Sequence, residues 1–364
     1  MNTDELINII NKNLEKRLYS CVFELVLNNA EIIKKSNELS YFYYLCLLNK
    51  EDYEKQGKLG IIQNRESVQD VIDTYLGFRR LIQRMAYCSE YDGSDLLEIM
   101  NELGVNVKEL IWTINSATFN SAEAIEKVKG NPGAISVGLS TYTPKHKYQD
   151  VRLDFIICSN DAQELDEALY YISRLYIPEG VEIDVLSIED AQSMCAGYNE
   201  GMRASSAKYK VYMHHDVRII ERNFIPMLID TFMEHEDAGI IGMIGTNGFP
   251  KDGIMWNIER FGSVWDTHIH ETTEIRLYPS KNDVEVMLCD GLLLATQYDV
   301  PWRDDIFDGW DFYDASQCME FKRKGYKVIV PYQDSSWCIH DCGFLNFKQY
   351  DHYKDLFLAE YTGV

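Results

Sequence analysis

From residue 151 onward, short apolar runs alternate with amphipathic stretches, and that alternation sets the fold class. Residues 153–158 (Leu-Asp-Phe-Ile-Ile-Cys) form an apolar run that ends in Ser159-Asn160-Asp161. Behind it, Leu165, Ala168, Leu169, Ile172 and Leu175 recur at the spacing of one helix face. The same reading predicts strands at 181–188, 208–213 and 239–244, a helix starting near Gln192 and another over 223–234. Strands and helices in this order predict an α/β domain, a mostly parallel sheet with helices on both faces. Ligands bind such a sheet beyond the carboxyl ends of its strands, so polar residues at those ends are the first candidates.

The first 140 residues carry only the helical period. Ile7, Ile10, Leu14 and Leu18 predict a helix over 7–18, and further helices are expected at 22–35, 41–50, 52–56, 67–85, 94–103 and 121–128. An all-α domain over 1–140 follows, without a repeat regular enough to define a solenoid. Gly130-Asn131-Pro132-Gly133 and the polar 141–150 read as its connection to an α/β domain over 150–345, with a tail or helix over 346–364. Oligomerisation, recruitment of a partner and shaping of a substrate site are all open to the helical domain; a homo-oligomer through it is one expectation.

Composition narrows the setting. A chain of 364 residues exceeds one ordinary core, in keeping with two domains. The opening Met1-Asn2-Thr3-Asp4-Glu5 is acidic where a secretory signal is basic, and no apolar run reaches the ~18–20 residues of a membrane span. Nine cysteines without regular spacing suit reduced thiols, so a cytoplasmic protein is expected. Charge changes the picture more. Residues 1–150 hold 17 Lys and Arg against 21 Asp and Glu, whereas residues 151–364 hold 18 against 37. Such a surface repels nucleic acid, and a phosphorylated ligand would need a divalent cation, Mn²⁺ or Mg²⁺, between itself and the carboxylates.

Three strand ends carry polar groups: Ser159-Asn160-Asp161, Glu189-Asp190 and His214-His215-Asp216. The third joins two imidazoles to a carboxylate, a set that can hold a metal through nitrogen and oxygen or simply close a turn. Asp190 reads equally as an N-cap for the next helix. Asp290-Gly291, between two short apolar runs, can line a cleft or form a bulge. Further on, Cys338, His340 and Cys342 could be read as zinc ligands, but no second Cys/His pair lies near them in sequence.

Phe155-Ile156-Ile157-Cys158-Ser159-Asn160, Ala196-Gly197-Tyr198-Asn199-Glu200-Gly201, residues 208–217, Gly309-Trp310-Asp311-Phe312-Tyr313-Asp314 and Gly325-Tyr326-Lys327-Val328 occur in consistent order. Together they resemble the family-2 glycosyltransferases, in particular a branch named for a streptomycin-biosynthesis protein. The resemblance implies a GT-A fold over 151–345 and transfer from a nucleotide-sugar, with inversion, to a hydroxyl of a glycan or small-molecule acceptor, as in polysaccharide synthesis. The family's metal-binding Asp-x-Asp falls on His214-His215-Asp216, so the metal role passes to Asp216, with His340 completing the site and His214 and His215 on the donor side. Ser159, Asn160, Asp161, Glu189, Asp190 and Asn199 would face the nucleoside, where an acidic group accepting the uracil N–H favours UDP. The catalytic base would be Asp314 by its distance from Gly325, with Asp311 one turn earlier as rival, and Trp310, Asp290 and Gly291 on the acceptor side. Two other classes stay open: a nucleotidyltransferase acting on sugar phosphates, and a transferase fold reduced to a binding module.

Overall fold

A computed structural model describes residues 2–15, isolated positions within 25–32 and 80–84, and 142–362 apart from 249, 251, 269–270, 278–280 and 344–348. The chain forms two compact units, Met1–Gly138 with Thr267–Thr273, and Leu139–Asp266 with Glu274–Val364. In the first, helix α1 spans Thr3–Glu15. Asn2 and Glu5 set its start reciprocally: the Glu5 N–H donates to Asn2 Oδ1 at 2.8 Å and the Asn2 N–H to Glu5 Oε2 at 3.0 Å. This cap begins the helix earlier than the apolar period at Ile7 suggests. The other predicted helices of this region, and residues 130–133, lie outside the described residues except for isolated positions.

The second unit runs β1 (Val151–Ser159), α2 (Ala162–Ile172), β2 (Val181–Glu189), α3 (Met194–Ala204), β3 (Tyr209–His214), β4 (Val217–Ile219), α4 (Phe224–Glu234), β5 (Ala238–Gly242) and β6 (Ile244–Thr246). It continues through β7 (Arg260–His268), β8 (Glu271–Leu277), β9 (Val284–Val286), β10 (Leu288–Cys289), β11 (Leu293–Thr296), α5 (Tyr313–Arg323), β12 (Lys327–Val330), β13 (Cys338–Gly343) and α6 (Tyr350–Tyr361). No described helix is long and apolar enough to cross a membrane.

Seven strands form the main sheet in the order β2-β1-β3-β11-β5-β12-β9. β1 pairs in parallel with β2 and β3, and β5 with β12, but β11 runs antiparallel to both β3 and β5, and β9 to β12. The sheet is therefore mixed, not mostly parallel as the strand–helix alternation predicts. The cause is the route of the chain. It leaves β5 at its carboxyl end, passes through other strands, and re-enters from that same end after Asp290-Gly291, so β11 must run the other way.

Both faces of this sheet are covered. Alternation along β1 sends Leu153, Phe155 and Ile157 to one side, where they join Ala168 and Ile172 of α2 and Phe224, Leu228 and Phe232 of α4. Ile156 and Cys158 point to the other side, into a core with Tyr198 of α3, Cys318 of α5 and Phe357 of α6. A second sheet follows the order β10-β6-β7-β13-β4, with β8 on β7. β3 passes into it across two residues only, His215-Asp216, and β5 across Met243. Asp216 thus sits on the seam between the sheets, where its carbonyl accepts the Asp341 N–H of β13 at 2.8 Å.

The polar segment before β1 is latched to α4 by one carboxylate. Asp230, fully buried, accepts the Tyr142 and Tyr148 hydroxyls and the Lys145 N–H, each at 2.7 Å, and lies 3.0 Å from His146 Nδ1. Burial opposes its charge, but these donors outweigh it and hold the carboxyl below its usual range. Asp230→Ala should cost about 2–3 kcal/mol of stability by urea denaturation and speed amide exchange at residues 142–148 first.

Candidate active site

The strand order β2-β1-β3 brings the three polar strand ends side by side. Ser159, Asn160, Asp190, His214, His215 and Asp216 line one open cleft of about 820 Å³, together with Trp310 and Asp311. Among the described residues lining this cleft there is no lysine or arginine. Trp310 is 49% exposed. Ser159 Oγ donates to the Asp161 carbonyl and lies 2.9 Å from His215 Nδ1, which is then the donor of that pair and fixes the ring of His215.

Behind the cleft, ligand atoms of His214, Asp216 and His340 lie within 4.8 Å of one another. Asp216 Oδ1 is 3.7 Å from His214 Nδ1 and 3.7 Å from His340 Nε2, and it is buried without a hydrogen-bond partner. His214 lines the cleft and turns Nδ1 toward Asp216, with Tyr313 Oη bonded to its Nε2. On the far side of His340, Nδ1 is 3.4 Å from Asp266 Oδ1. Burial pushes His214 down to about 4, with Asp216 offsetting only part of it. Burial also opposes charge on His340, but Asp216 and Asp266 outweigh it and push this group up to about 9. For Asp216 the surrounding imidazoles and Arg218 likewise overcome burial and hold the carboxyl low.

A three-residue N/O set with an unpartnered carboxylate oxygen fits a divalent cation, and its two imidazoles suit Mn²⁺ better than Mg²⁺. The zinc set is not gathered. Cys338 is buried beside Trp337 in the core under α4, where burial pushes its thiol far up, and it takes no part in the cluster around His340. The side chain of Cys342 lies outside the described ones.

Asp314 stands in the first turn of α5. Its Oδ2 accepts the Gly291 N–H at 2.8 Å and its Oδ1 the Ala315 N–H at 2.7 Å. Burial, then the neighbouring Asp290, push its carboxyl up to about 7 despite these donors. Asp290 is itself raised, by burial first. Gly291 serves close approach, but not to a ligand: a Cβ there would stand 2.1 Å from Tyr313 Oη and 2.8 Å from Asp314 Cβ. Asp311, in the cleft, is raised by burial alone. Phe312, at the start of α5, has φ 60°, so the backbone that aims Asp314 is held in the left-handed region.

Other expected contacts are absent from the cleft. Asp161 is the N-cap of α2, accepting the Gln163 and Glu164 N–H groups, and Glu189 is exposed beside the cleft rather than lining it. Asp190 lines the cleft but is not a cap; Ser193 caps α3. Asn199 does not face the nucleotide side. It is buried and clamps Trp302, donating to its carbonyl at 2.8 Å and accepting its N–H at 2.9 Å. Tyr313 and Asp266 went unseen in the sequence, since neither spacing nor motif ties them to the histidines they touch. If Asn199 is structural, Asn199→Ala strands both Trp302 groups and costs about 2–3 kcal/mol in urea unfolding, while nucleotide affinity of the folded protein by calorimetry stays within about twofold.

Residues 154–361 match a family described as "Glycosyltransferase like family". No curated protein matches the chain. The solved structures that align with it include two with TM-scores below 0.4. One is the mannosyltransferase PcManGT from Pyrobaculum calidifontis in complex with GDP-Man and Mn²⁺, with 13% identity, TM-score 0.38, and 58% of this chain and 62% of that one covered. The other is GalNAc-T7 with UDP, GalNAc and Mn²⁺, with 8% identity, TM-score 0.39, and coverage of 55% and 45%. The chain thus spans less than two thirds of either. The family match opens inside β1 and closes with the last residue of α6, taking in every strand and helix that builds the cleft: the chain belongs to the glycosyltransferase-like family.

Proposed function

We propose that this protein is a metal-dependent, inverting glycosyltransferase of the GT-A type that moves a sugar from a nucleotide-sugar, a UDP-sugar foremost, to a hydroxyl of a glycan or small-molecule acceptor. The observation that carries this reading is the His214–Asp216–His340 cluster, with its unpartnered buried carboxylate oxygen, at the carboxyl end of β3. A cation held by these three would supply the positive charge that a diphosphate needs in a cleft whose described lining holds no lysine or arginine. That same lack weighs against a triphosphate-using nucleotidyltransferase. Asn160 and Asp190 at the ends of β1 and β2 take the nucleoside, and the Asp190 carboxylate accepts the uracil N–H.

Asp314 acts as the base. Its carboxylate takes the proton of the acceptor hydroxyl as that oxygen bonds to the anomeric carbon. The bond from that carbon to the diphosphate oxygen breaks, and the nucleoside diphosphate leaves with the bonding pair. A group titrating near 7 is well placed for this, since it is ionised at working pH yet basic enough to hold a proton. Trp310, exposed at the cleft, offers an apolar face to the acceptor ring.

Four outcomes are expected. Calorimetry against UDP-, GDP- and dTDP-sugars should show binding that requires Mn²⁺ and favours UDP; equal binding in chelator sinks the metal reading. Asp216→Ala should abolish that metal requirement together with the binding. Asp314→Asn should lower kcat by about 10²- to 10⁴-fold, more than Asp311→Asn. Because the base works only when ionised, kcat/KM of the wild type should fall as pH drops through about 7. A wild-type rate flat from pH 5 to 8 would assign the base elsewhere.

A further inference from the structure

The two imidazoles of the cluster are presented through opposite nitrogens, and each is held from behind by a residue that the motif does not contain. His340 offers Nε2 to Asp216, while its Nδ1 faces the buried Asp266 carboxylate of β7 at 3.4 Å. His214 offers Nδ1, while its Nε2 is bonded to the Tyr313 hydroxyl of α5. An imidazole ligates through a nitrogen lone pair, so its other nitrogen must carry the proton and find an acceptor. Asp266 Oδ1 can accept from His340 Nδ1–H, and Tyr313 Oη from His214 Nε2–H. With both bonds in place, the two ligating lone pairs point to the side where Asp216 Oδ1 lies unpartnered.

We infer that Asp266 and Tyr313 are positioning residues that fix which nitrogen His340 and His214 present to a divalent cation. Asp266 belongs to β7, next to β13 in the second sheet, so its carboxylate is set by the strand pairing that also sets His340. Tyr313 has a second attachment. Its ring packs in the aromatic core with Tyr198 and Trp302, and its hydroxyl lies where a side chain on Gly291 would be. It directly precedes Asp314, so the start of α5 is tied to His214 through one residue. The inference rests on reading the cluster as a metal site.

The test is Mn²⁺ titration of the full chain followed by electron paramagnetic resonance, with no nucleotide present. Asp266→Ala and Tyr313→Phe should each weaken the dissociation constant by about 10- to 100-fold, with melting temperatures near that of the wild type. Asp266→Asn keeps an oxygen that can accept the Nδ1–H, so it should recover at least part of the loss; a merely structural carboxylate would not show this rescue. If Asp266→Ala fails to fold, Tyr313→Phe, which removes one oxygen from a packed ring, carries the test. Wild-type affinity in Asp266→Ala and Tyr313→Phe overturns the positioning roles alone. A wild type that takes up no Mn²⁺ overturns the metal reading itself.

Discussion

An ionised carboxylate oxygen taken out of water needs either a hydrogen-bond donor or a positive charge close by. Asp216 Oδ1 has no donor bonded to it, and the nitrogens of two imidazoles lie 3.7 Å away. The rest of the site is arranged around that deficit. β3 delivers Asp216 to the seam of two sheets, β13 delivers His340, and Asp266 and Tyr313 brace the imidazoles from behind. Four separate elements converge there, while the described lining of the flanking cleft carries Asp190 and Asp311 and no lysine or arginine. The surplus of negative charge in this half of the chain is thus focused where a diphosphate would have to sit, and a bound cation reconciles the two.

The same electrostatics separate the two aspartates near α5. Asp314 is burdened by burial and by Asp290, yet two backbone N–H groups keep it in place. Asp311 lines the cleft and feels burial alone. One carboxyl is tuned and the other accessible, so spacing to Gly325 cannot by itself divide the labour between them.

What the sequence discloses follows from period and range. The strands β1, β2, β3 and β5 and the helices α2, α3 and α4 are legible because their apolar periods are local and strong, whereas the three-residue β4 is too short to show one. Strand direction is not local: β11 is the four residues Leu-Leu-Ala-Thr, and nothing within them records that they enter the sheet from its carboxyl end. The site divides in the same way. Strand-end residues such as His215 and Asp190 are visible as polar breaks after apolar runs. Asn199 misleads, because its partner Trp302 lies far along the chain and satisfies both ends of the amide. Asp266 lies inside β7 with no local mark at all, and Tyr313 looks like core, which most of it is.

The helix α6 closes the core that α3 and α5 begin. It adds Tyr353, Phe357 and Tyr361, and the Tyr361 hydroxyl reaches Ser316 at 2.8 Å and Glu320 at 2.9 Å on the back of the Asp314 helix. The ribosome delivers β1 long before it delivers these aromatics; at about 5–20 residues per second the delay is on the order of tens of seconds. Through that interval the side that carries Ile156 and Cys158 is covered only in part, first by α3 and then by α5. The core on that side is complete only after translation has passed residue 361.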